Sequence, residues 1–320
     1  MGEDLMTGRA RVSGSRWRTL GALLFLLPAA IAPASAQSIP LDVGPRPTED
    51  VVPLVKGGVD KAVAALPALT QEILKRSGLP GAAVAVVHSG KTSFAQGYGV
   101  RELGKPDKVD TETVFQIASV SKPIAATIAA VEVTAGRVHW NDKIVQHLPG
   151  FALKDPYVTA NCTIGDLYAH RSGLPGEAGD DLEDLGFERA AIIERLRLLS
   201  LDEFRTSYHY ANFGITAGAE AVAHAAGMAW EDLAQKVLYE PLGMTATSSR
   251  YKDFLARENK ATLHSLENGR FEARYKRDPD QQSPAGGVSS NVTDLAAWLK
   301  LILANGRYNG REMIAPDALL

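Results

Sequence analysis

The chain has 320 residues, 45% of them hydrophobic, and carries 34 Lys and Arg against 37 Asp and Glu, for a formal net charge of −3. This length and composition suffice for a globular unit with a large core. The mildly acidic balance gives no electrostatic basis for binding nucleic acid or an anionic membrane. Cys162, the one cysteine, cannot form an intramolecular disulfide and is interpreted as a small buried apolar residue.

Residues 1–36 have the pattern of a secretory signal peptide. Four arginines precede an apolar core from Leu20 to Ala32, and Ala34-Ser35-Ala36 forms a small-residue cleavage site. The core is shorter than the roughly 20 residues needed to cross a bilayer. We therefore expect cleavage after Ala36, a secreted or periplasmic protein without a stable membrane span, and a mature domain over residues 37–320. A retained anchor is the alternative.

The elements that follow predict an α/β (α+β) fold. Apolar spacing of three and four predicts a helix over Val51 to Lys75, and two strands follow over Gly81–Val87 and Thr92–Tyr98 with a turn at Ser89-Gly90. Further helices are predicted over 164–168, 187–198, 213–226, 230–238 and 292–304. We expect an antiparallel sheet flanked by helices, with residues 51–118 supplying the first helix and strands and residues 119–305 a large, mainly helical inserted lobe.

The run Phe115-Gln116-Ile117-Ala118-Ser119-Val120-Ser121-Lys122-Pro123 places a serine three residues before a lysine at the predicted start of a helix. Residues three apart share a helix face, so the Lys122 amine can approach the Ser119 hydroxyl. Serine needs a neighbouring group to take its proton, and lysine can do so only when its pKa is lowered. The structural alternative is a capping serine beside a solvated lysine. The same spacing at Ser249 and Lys252 is interpreted as a solvated surface turn.

Tyr210-Ala211-Asn212 forms a second candidate motif about ninety residues later. In an extended segment, side chains two apart point to the same side. A phenol can transfer a proton between a serine and a leaving group, and an amide can hold a substrate carbonyl. Taken alone, a tyrosine in such a pattern is more often a half-buried core residue than a catalytic one.

The chain resembles serine β-lactamase-like proteins of the class C β-lactamase, DD-peptidase and esterase branch. The motifs that carry this resemblance are, in chain order, 115–122, His170-Arg171-Ser172-Gly173-Leu174-Pro175, 210–212, and 284–290 with Asp294. The resemblance implies a penicillin-binding-protein-like transpeptidase fold with Ser119 as the acylated nucleophile. It also implies that Lys122 and Tyr210 share the proton transfers, that Asn212 positions substrate, and that His170 is a structural turn residue.

One family motif has no match in the chain. Family members carry K-T-G or H-x-G on a strand beside the site, but no K-T-G occurs here and His264 is followed by Ser265-Leu266. Only the first two strands of the family's sheet are found before Leu320. We therefore expect a C-terminally truncated fragment with an incomplete sheet. A catalytically impaired or non-catalytic binding protein of the same fold is the alternative to an enzyme.

Other reaction classes fit the sequence less well. Ser89-Gly90-Lys91-Thr92 lacks the first glycine of a phosphate-binding loop, and no H-E-x-x-H or G-x-S-x-G motif occurs. The sequence thus favours an exported serine hydrolase that forms an acyl-serine intermediate from an amide, ester or β-lactam carbonyl. We expect no cofactor, no metal, and a small-molecule or cell-wall peptide as substrate.

Overall fold

The computed structural model describes residues 55–319. The predicted signal peptide, its cleavage site after Ala36 and the first four residues of the predicted N-terminal helix lie outside this range. Within it, no helix is both long and apolar enough to span a bilayer.

The described elements alternate short strands with many helices. The helices are α1 Gly58–Ser77, α2 Ser121–Thr134, α3 Ile144–His147, α4 Pro156–Asn161, α5 Ile164–Tyr168, α6 Asp180–Asp184, α7 Arg189–Arg195, α8 Asn212–Ala226, α9 Trp230–Ala234, α10 Glu240–Leu242, α11 Tyr251–Ala256, α12 Ser283–Gly286 and α13 Val292–Leu303. The strands are β1 Gly81–His88, β2 Lys91–Gly99, β3 Phe115–Gln116, β4 Ser265–Glu267, β5 Arg270–Glu272, β6 Ser289–Ser290, β7 Arg307–Tyr308 and β8 Arg311–Glu312.

The predicted hairpin forms as β1 paired antiparallel with β2, in a register that sets Gly81 opposite Gly99. Helices α1 and α13 both pack against it. A side chain at Gly97 would collide with the backbone of Val109, so the close approach of the next segment requires glycine there. The hairpin with its two helices thus forms an α/β layer. The sequence places α13 in the helical segment, whereas the structure packs it on the strands.

Helices α2 and α8 form the centre of the helical part. Both are apolar around most of their circumference, and α8 buries ten of its fifteen residues. Ile124 and Ile128 of α2 and Phe213 of α8 are fully buried. A helix that is apolar on all sides is stable only when others surround it. Helices α3, α5, α9 and α12 supply that surrounding packing around α8.

A two-residue strand pair connects the start of α2 to the segment before α13. Strand β3 pairs antiparallel with β6, and the Ile117 amide donates to the Val288 carbonyl at 3.0 Å. Residues 171 to 175 positions apart therefore meet just before the predicted nucleophile. The fold is mixed α/β with small antiparallel sheets, which confirms the predicted fold class.

Several predictions of individual elements are confirmed and one interpretation is wrong. Helix α5 has the predicted bounds, α8 and α13 lie within one residue of theirs, and Asn291 caps α13 by accepting from the Asp294 amide. The helices α3, α4, α6, α10, α11 and α12 and the β4–β5 and β7–β8 hairpins were not predicted. Ser249 is not in a solvated turn: it is buried and its hydroxyl lies 2.7 Å from that of Tyr239. Lys252 alone of that pair is exposed.

Candidate active site

Ser119 lies in a single 3-10 turn, Ala118–Val120, that leads directly into α2. Ala118 has a φ of 45°, a left-handed conformation that is unfavourable for a residue with a side chain. Ser121 supports this backbone, because its buried hydroxyl donates to the Ala118 carbonyl at 2.6 Å and accepts from the Val288 amide at 3.0 Å. The turn is therefore held in a strained shape that leaves Ser119 exposed above the helix.

The three predicted catalytic side chains meet at the Ser119 hydroxyl. Lys122 Nζ lies 3.1 Å from Ser119 Oγ, and the Tyr210 hydroxyl donates to the same oxygen at 2.6 Å. Lys122 Nζ also lies 4.4 Å from the centre of the Tyr210 ring. Both groups are thus within proton-transfer distance of one hydroxyl, which is the geometry of an activated nucleophile.

Lys122 is enclosed by acceptors from three parts of the chain. Besides Ser119, its Nζ contacts Asn212 Oδ1 at 2.7 Å and the Ala285 carbonyl at 2.8 Å. Burial lowers the pKa of Lys122, and this effect outweighs the opposing influence of Tyr210 and Asp180. Desolvation favours the neutral amine, which can accept a proton. The alternative of a solvated lysine does not describe this side chain.

Tyr210 rests on His170. Their ring centres lie 4.8 Å apart, and His170 Nδ1 accepts the Ala211 amide hydrogen at 3.2 Å. Burial and the positive charge of Lys122 lower the pKa of His170 to about 4. The ring is therefore neutral near pH 7, as an acceptor must be. His170 has a φ of 56°, and its contacts with the Tyr210 ring and the Ala211 amide hold this segment in place.

Asn212 is the first residue of α8, and its side chain joins Lys122 to an acid that the sequence analysis missed. Its oxygen faces Lys122, while its nitrogen donates to Asp180 Oδ2 at 2.8 Å. Asp180 belongs to the acidic segment 180–184, which has the composition of an ordinary solvated helix start. The sequence therefore does not distinguish Asp180 from its acidic neighbours. The Ala285 carbonyl was missed as well, because a backbone group carries no residue-type signal.

The site is open on the side of the nucleophile. Ser119 is exposed and Tyr210 keeps 36% of its surface accessible. A cavity of about 860 Å³ lies elsewhere and is lined by Arg189, Glu220, Glu231 and neighbouring residues. Its lining does not include Ser119, Lys122 or Tyr210. Among the described residues, no group of three or more His, Cys, Asp or Glu is arranged to hold a metal ion.

The comparison with family models agrees with this geometry. The model described as Beta-lactamase matches residues 60–318, which is more than half of the chain. The chain belongs to the β-lactamase family. The serine-to-lysine turn, the Tyr210 segment and the β1–β2 hairpin all lie within the matched range.

The chain is similar to proteins that carry different names. The chain is 28% identical over 276 residues to the unguisins hydrolase ungD of Aspergillus violaceofuscus, covering 82% of this chain and 47% of that protein. It is 28% identical over 249 residues to penicillin-binding protein 4 of Amycolatopsis lactamdurans, covering 75% of this chain and 61% of that protein. The chain thus spans about half to three fifths of these β-lactamase-family proteins.

Solved structures support the fold. The octameric penicillin-binding protein homologue from Pyrococcus abyssi superposes with a TM-score of 0.68 at 20% identity, over 80% of this chain and 59% of that one. A class C β-lactamase from Rhodobacter sphaeroides gives a TM-score of 0.66 at 22% identity, over 80% of this chain and 69% of that one. At such identities the likeness concerns the β-lactamase fold alone.

Proposed function

We propose that this protein is an exported serine hydrolase that acts through an acyl-serine intermediate. The observation that carries the proposal is the meeting of Lys122 Nζ and the Tyr210 hydroxyl at Ser119 Oγ, at 3.1 and 2.6 Å. Membership of the β-lactamase family and the hydrolase name of the Aspergillus relative support it.

The contacts suggest how the two half-reactions run. Ser119 Oγ attacks a carbonyl carbon while Lys122, with its lowered pKa, takes the hydroxyl proton. The Tyr210 hydroxyl, hydrogen-bonded to Oγ, carries a proton to the leaving group as the carbonyl carbon's bond to it breaks. Water then attacks the acyl-serine, and the same two groups return the proton to Ser119.

The substrates we propose are small molecules or cell-wall peptides with a reactive carbonyl: peptides ending in D-alanine, β-lactams or small esters. The open position of Ser119 suits a substrate that enters from solution. Export is proposed from the basic, apolar and small-residue order of residues 1–36. Asn212 is proposed to help position the substrate from beside Lys122.

Intact-mass measurement after incubation with a fluorophosphonate or with benzylpenicillin tests this proposal. We expect one covalent adduct, mapped by peptide sequencing to Ser119, and none in Ser119→Ala. Ser249→Ala serves as the matched control, since it removes the serine of the other serine-to-lysine spacing and should label like the wild type. Equal labelling of wild type and Ser119→Ala would refute the assignment. The absence of an adduct with either probe would favour the alternative, a non-catalytic binding protein of the same fold.

A further inference from the structure

Asp180 occupies a defined place behind the reacting groups. Its Oδ2 accepts from Asn212 Nδ2 at 2.8 Å, while Asn212 Oδ1 lies 2.7 Å from Lys122 Nζ. Its other oxygen, Oδ1, is buried without a hydrogen-bond partner among the described residues. A side-chain amide thus links a carboxylate to the amine that takes the serine proton.

The segment that leads into α6, residues 177–180, is hydrogen-bonded to the Tyr210 segment. The Glu177 amide donates to the Tyr210 carbonyl at 2.8 Å, and the Asp180 amide donates to the Glu177 carbonyl at 3.0 Å. Gly179 has a φ of 91°, and a Cβ added there would lie 2.7 Å from a methyl carbon of Ile192. The backbone before Asp180 therefore admits only glycine, and the position of the carboxylate is set by more than its own side chain.

The chemistry of the groups explains why a carboxylate is needed there. A neutral amine can accept or donate, so Lys122 alone does not decide which end of the Asn212 amide faces it. An ionised carboxylate can only accept, so it always turns Nδ2 toward itself and Oδ1 toward Lys122. With Oδ1 and the Ala285 carbonyl taking the two hydrogens of the neutral amine, its lone pair is left for Ser119.

We propose that Asp180 is a positioning residue for the acylation of Ser119, holding the Asn212 amide so that the Lys122 lone pair faces the serine hydroxyl. This inference rests on the proposed function. It assigns a task to an acid that touches neither Ser119 nor Lys122.

The carboxylate also acts on Lys122 through its charge. Its negative charge favours the ammonium form and so raises the pKa of Lys122, against the larger lowering by burial. The pKa of Asp180 itself is raised, mainly by burial and also by the negative charges of Glu183 and Glu177. The hydrogen bond from Asn212 and the positive charge of Arg277 lower this pKa but do not outweigh the rise. Around Lys122, Tyr210 is the other group that raises the pKa, and Lys122 in turn lowers that of His170.

Two substitutions separate position from charge. Asp180→Ala removes the acceptor, so we expect the acylation rate at its high-pH plateau to fall about 10- to 100-fold, within the range of proton-transfer effects. Asp180→Asn retains an acceptor oxygen for Asn212 Nδ2 but adds an NH₂ group that can donate, so only part of the plateau should return. Both variants lose the negative charge that raises the pKa of Lys122. In both, the acylation rate should therefore begin to rise at a lower pH than in the wild type. Damage to the fold would lower the acylation rate without changing the pH at which that rate rises.

The experiment measures the rate of Ser119 adduct formation against pH by intact mass in the wild type, the two Asp180 variants and Asp181→Asn. Asp181 is an exposed acid on the same helix and serves as the charge-matched control. The pKa of Lys122 is measured in parallel by titrating the ¹⁵N resonance of its amine, which is assigned by its loss in Lys122→Arg. This titration does not depend on acylation. We expect a lower Lys122 pKa in both Asp180 variants and the wild-type value in Asp181→Asn.

The two readouts distinguish the possible failures. A wild type without a Ser119 adduct would contradict the proposed function, and the Lys122 titration would then decide the role of Asp180. An unshifted Lys122 pKa in both Asp180 variants would overturn the inference. So would a normal adduct in the wild type accompanied by an unchanged plateau in Asp180→Ala.

Discussion

Lys122 Nζ donates a hydrogen bond of 2.8 Å to the carbonyl oxygen of Ala285, 163 positions further along the chain. Asn212 Oδ1 takes a second hydrogen of the same amine. A neutral amine has two hydrogens and one lone pair, so these two acceptors leave the lone pair for the third neighbour, Ser119 Oγ. In the neutral form of Lys122, the Ala285 carbonyl and the Asn212 amide therefore decide which way the lone pair faces.

Lys122→Arg should nearly abolish acylation. A guanidinium keeps the positive charge but does not lose its proton in proteins, so it cannot act as the base. We expect the rate of Ser119 adduct formation to fall about 10²- to 10⁴-fold. Lys252→Arg, at the exposed lysine of the other serine-to-lysine spacing, should leave the rate unchanged. A Lys122→Arg variant as fast as the wild type would show that only the charge matters.

Tyr210→Phe should slow the transfer of the proton to the leaving group. The variant keeps the ring that packs on His170 but removes the hydroxyl that donates to Ser119 at 2.6 Å. We expect a fall of about 10²- to 10⁴-fold in turnover of an ester substrate. The control is Tyr208→Phe, because Tyr208 is 64% exposed and also contacts the His170 ring. Equal rates in the two variants would contradict the assignment.

The acylation rate should rise with pH as Lys122 loses its proton. Because burial lowers the pKa of Lys122, the midpoint of this rise should lie below the ordinary lysine value of about 10.4. Titration of His170 does not account for this rise in rate, because its pKa is lowered to about 4 and the ring is already neutral near pH 7. The measurement is adduct formation against pH, with the His170 titration followed by NMR. A midpoint at the ordinary lysine value would contradict a desolvated base.

Cys162 should be unreactive in the folded protein. It is fully buried, and burial raises the pKa of its thiol to about 12, so the reactive thiolate is scarce near pH 8. We expect almost no reaction with a disulfide reagent under native conditions and one thiol per chain after denaturation. The denatured sample is the internal control. Rapid native labelling would disprove the interpretation of Cys162 as a packed apolar residue.

Asp166 should stabilise the fold at neutral pH and lose this effect in acid. Burial opposes its ionisation, but hydrogen bonds from Arg205 and Thr163 outweigh that and lower its pKa. A carboxyl with a lowered pKa in the folded state stabilises above its unfolded value, near 4, and ceases to do so as pH falls through the folded value. Asp166→Asn should therefore reduce the free energy of unfolding by about 1 to 3 kcal/mol at pH 7.

Urea unfolding at several pH values measures this difference. The gap between wild type and Asp166→Asn should shrink as pH falls below about 4. Asp181→Asn, at an exposed carboxylate, should match the wild type at every pH. A gap independent of pH would mean that shape, and not charge, accounts for the loss.

Features that depend on neighbouring residues were predictable from the sequence. The two strand-like segments on either side of Ser89-Gly90 predicted the β1–β2 hairpin, and the helical pattern over 292–304 predicted α13. The spacing of Ser119 and Lys122 predicted their contact, since a single turn joins them. The spacing of Tyr210 and Asn212 predicted that both side chains would point to one side, and both do reach this pair.

Features that depend on long-range packing were decided by the tertiary structure alone. Tyr210 reaches Ser119 across 91 positions, Asp180 reaches Asn212 across 32, and Ser249 is buried although its charged neighbours suggested a surface turn. Helical periodicity and capping act over one or two turns of chain, so the sequence determines the turn that aligns the serine with its lysine. The Ala285 carbonyl, the Asn212 amide and the Asp180 carboxylate surround that lysine only because α2, α6, α8 and α12 come together in the folded chain.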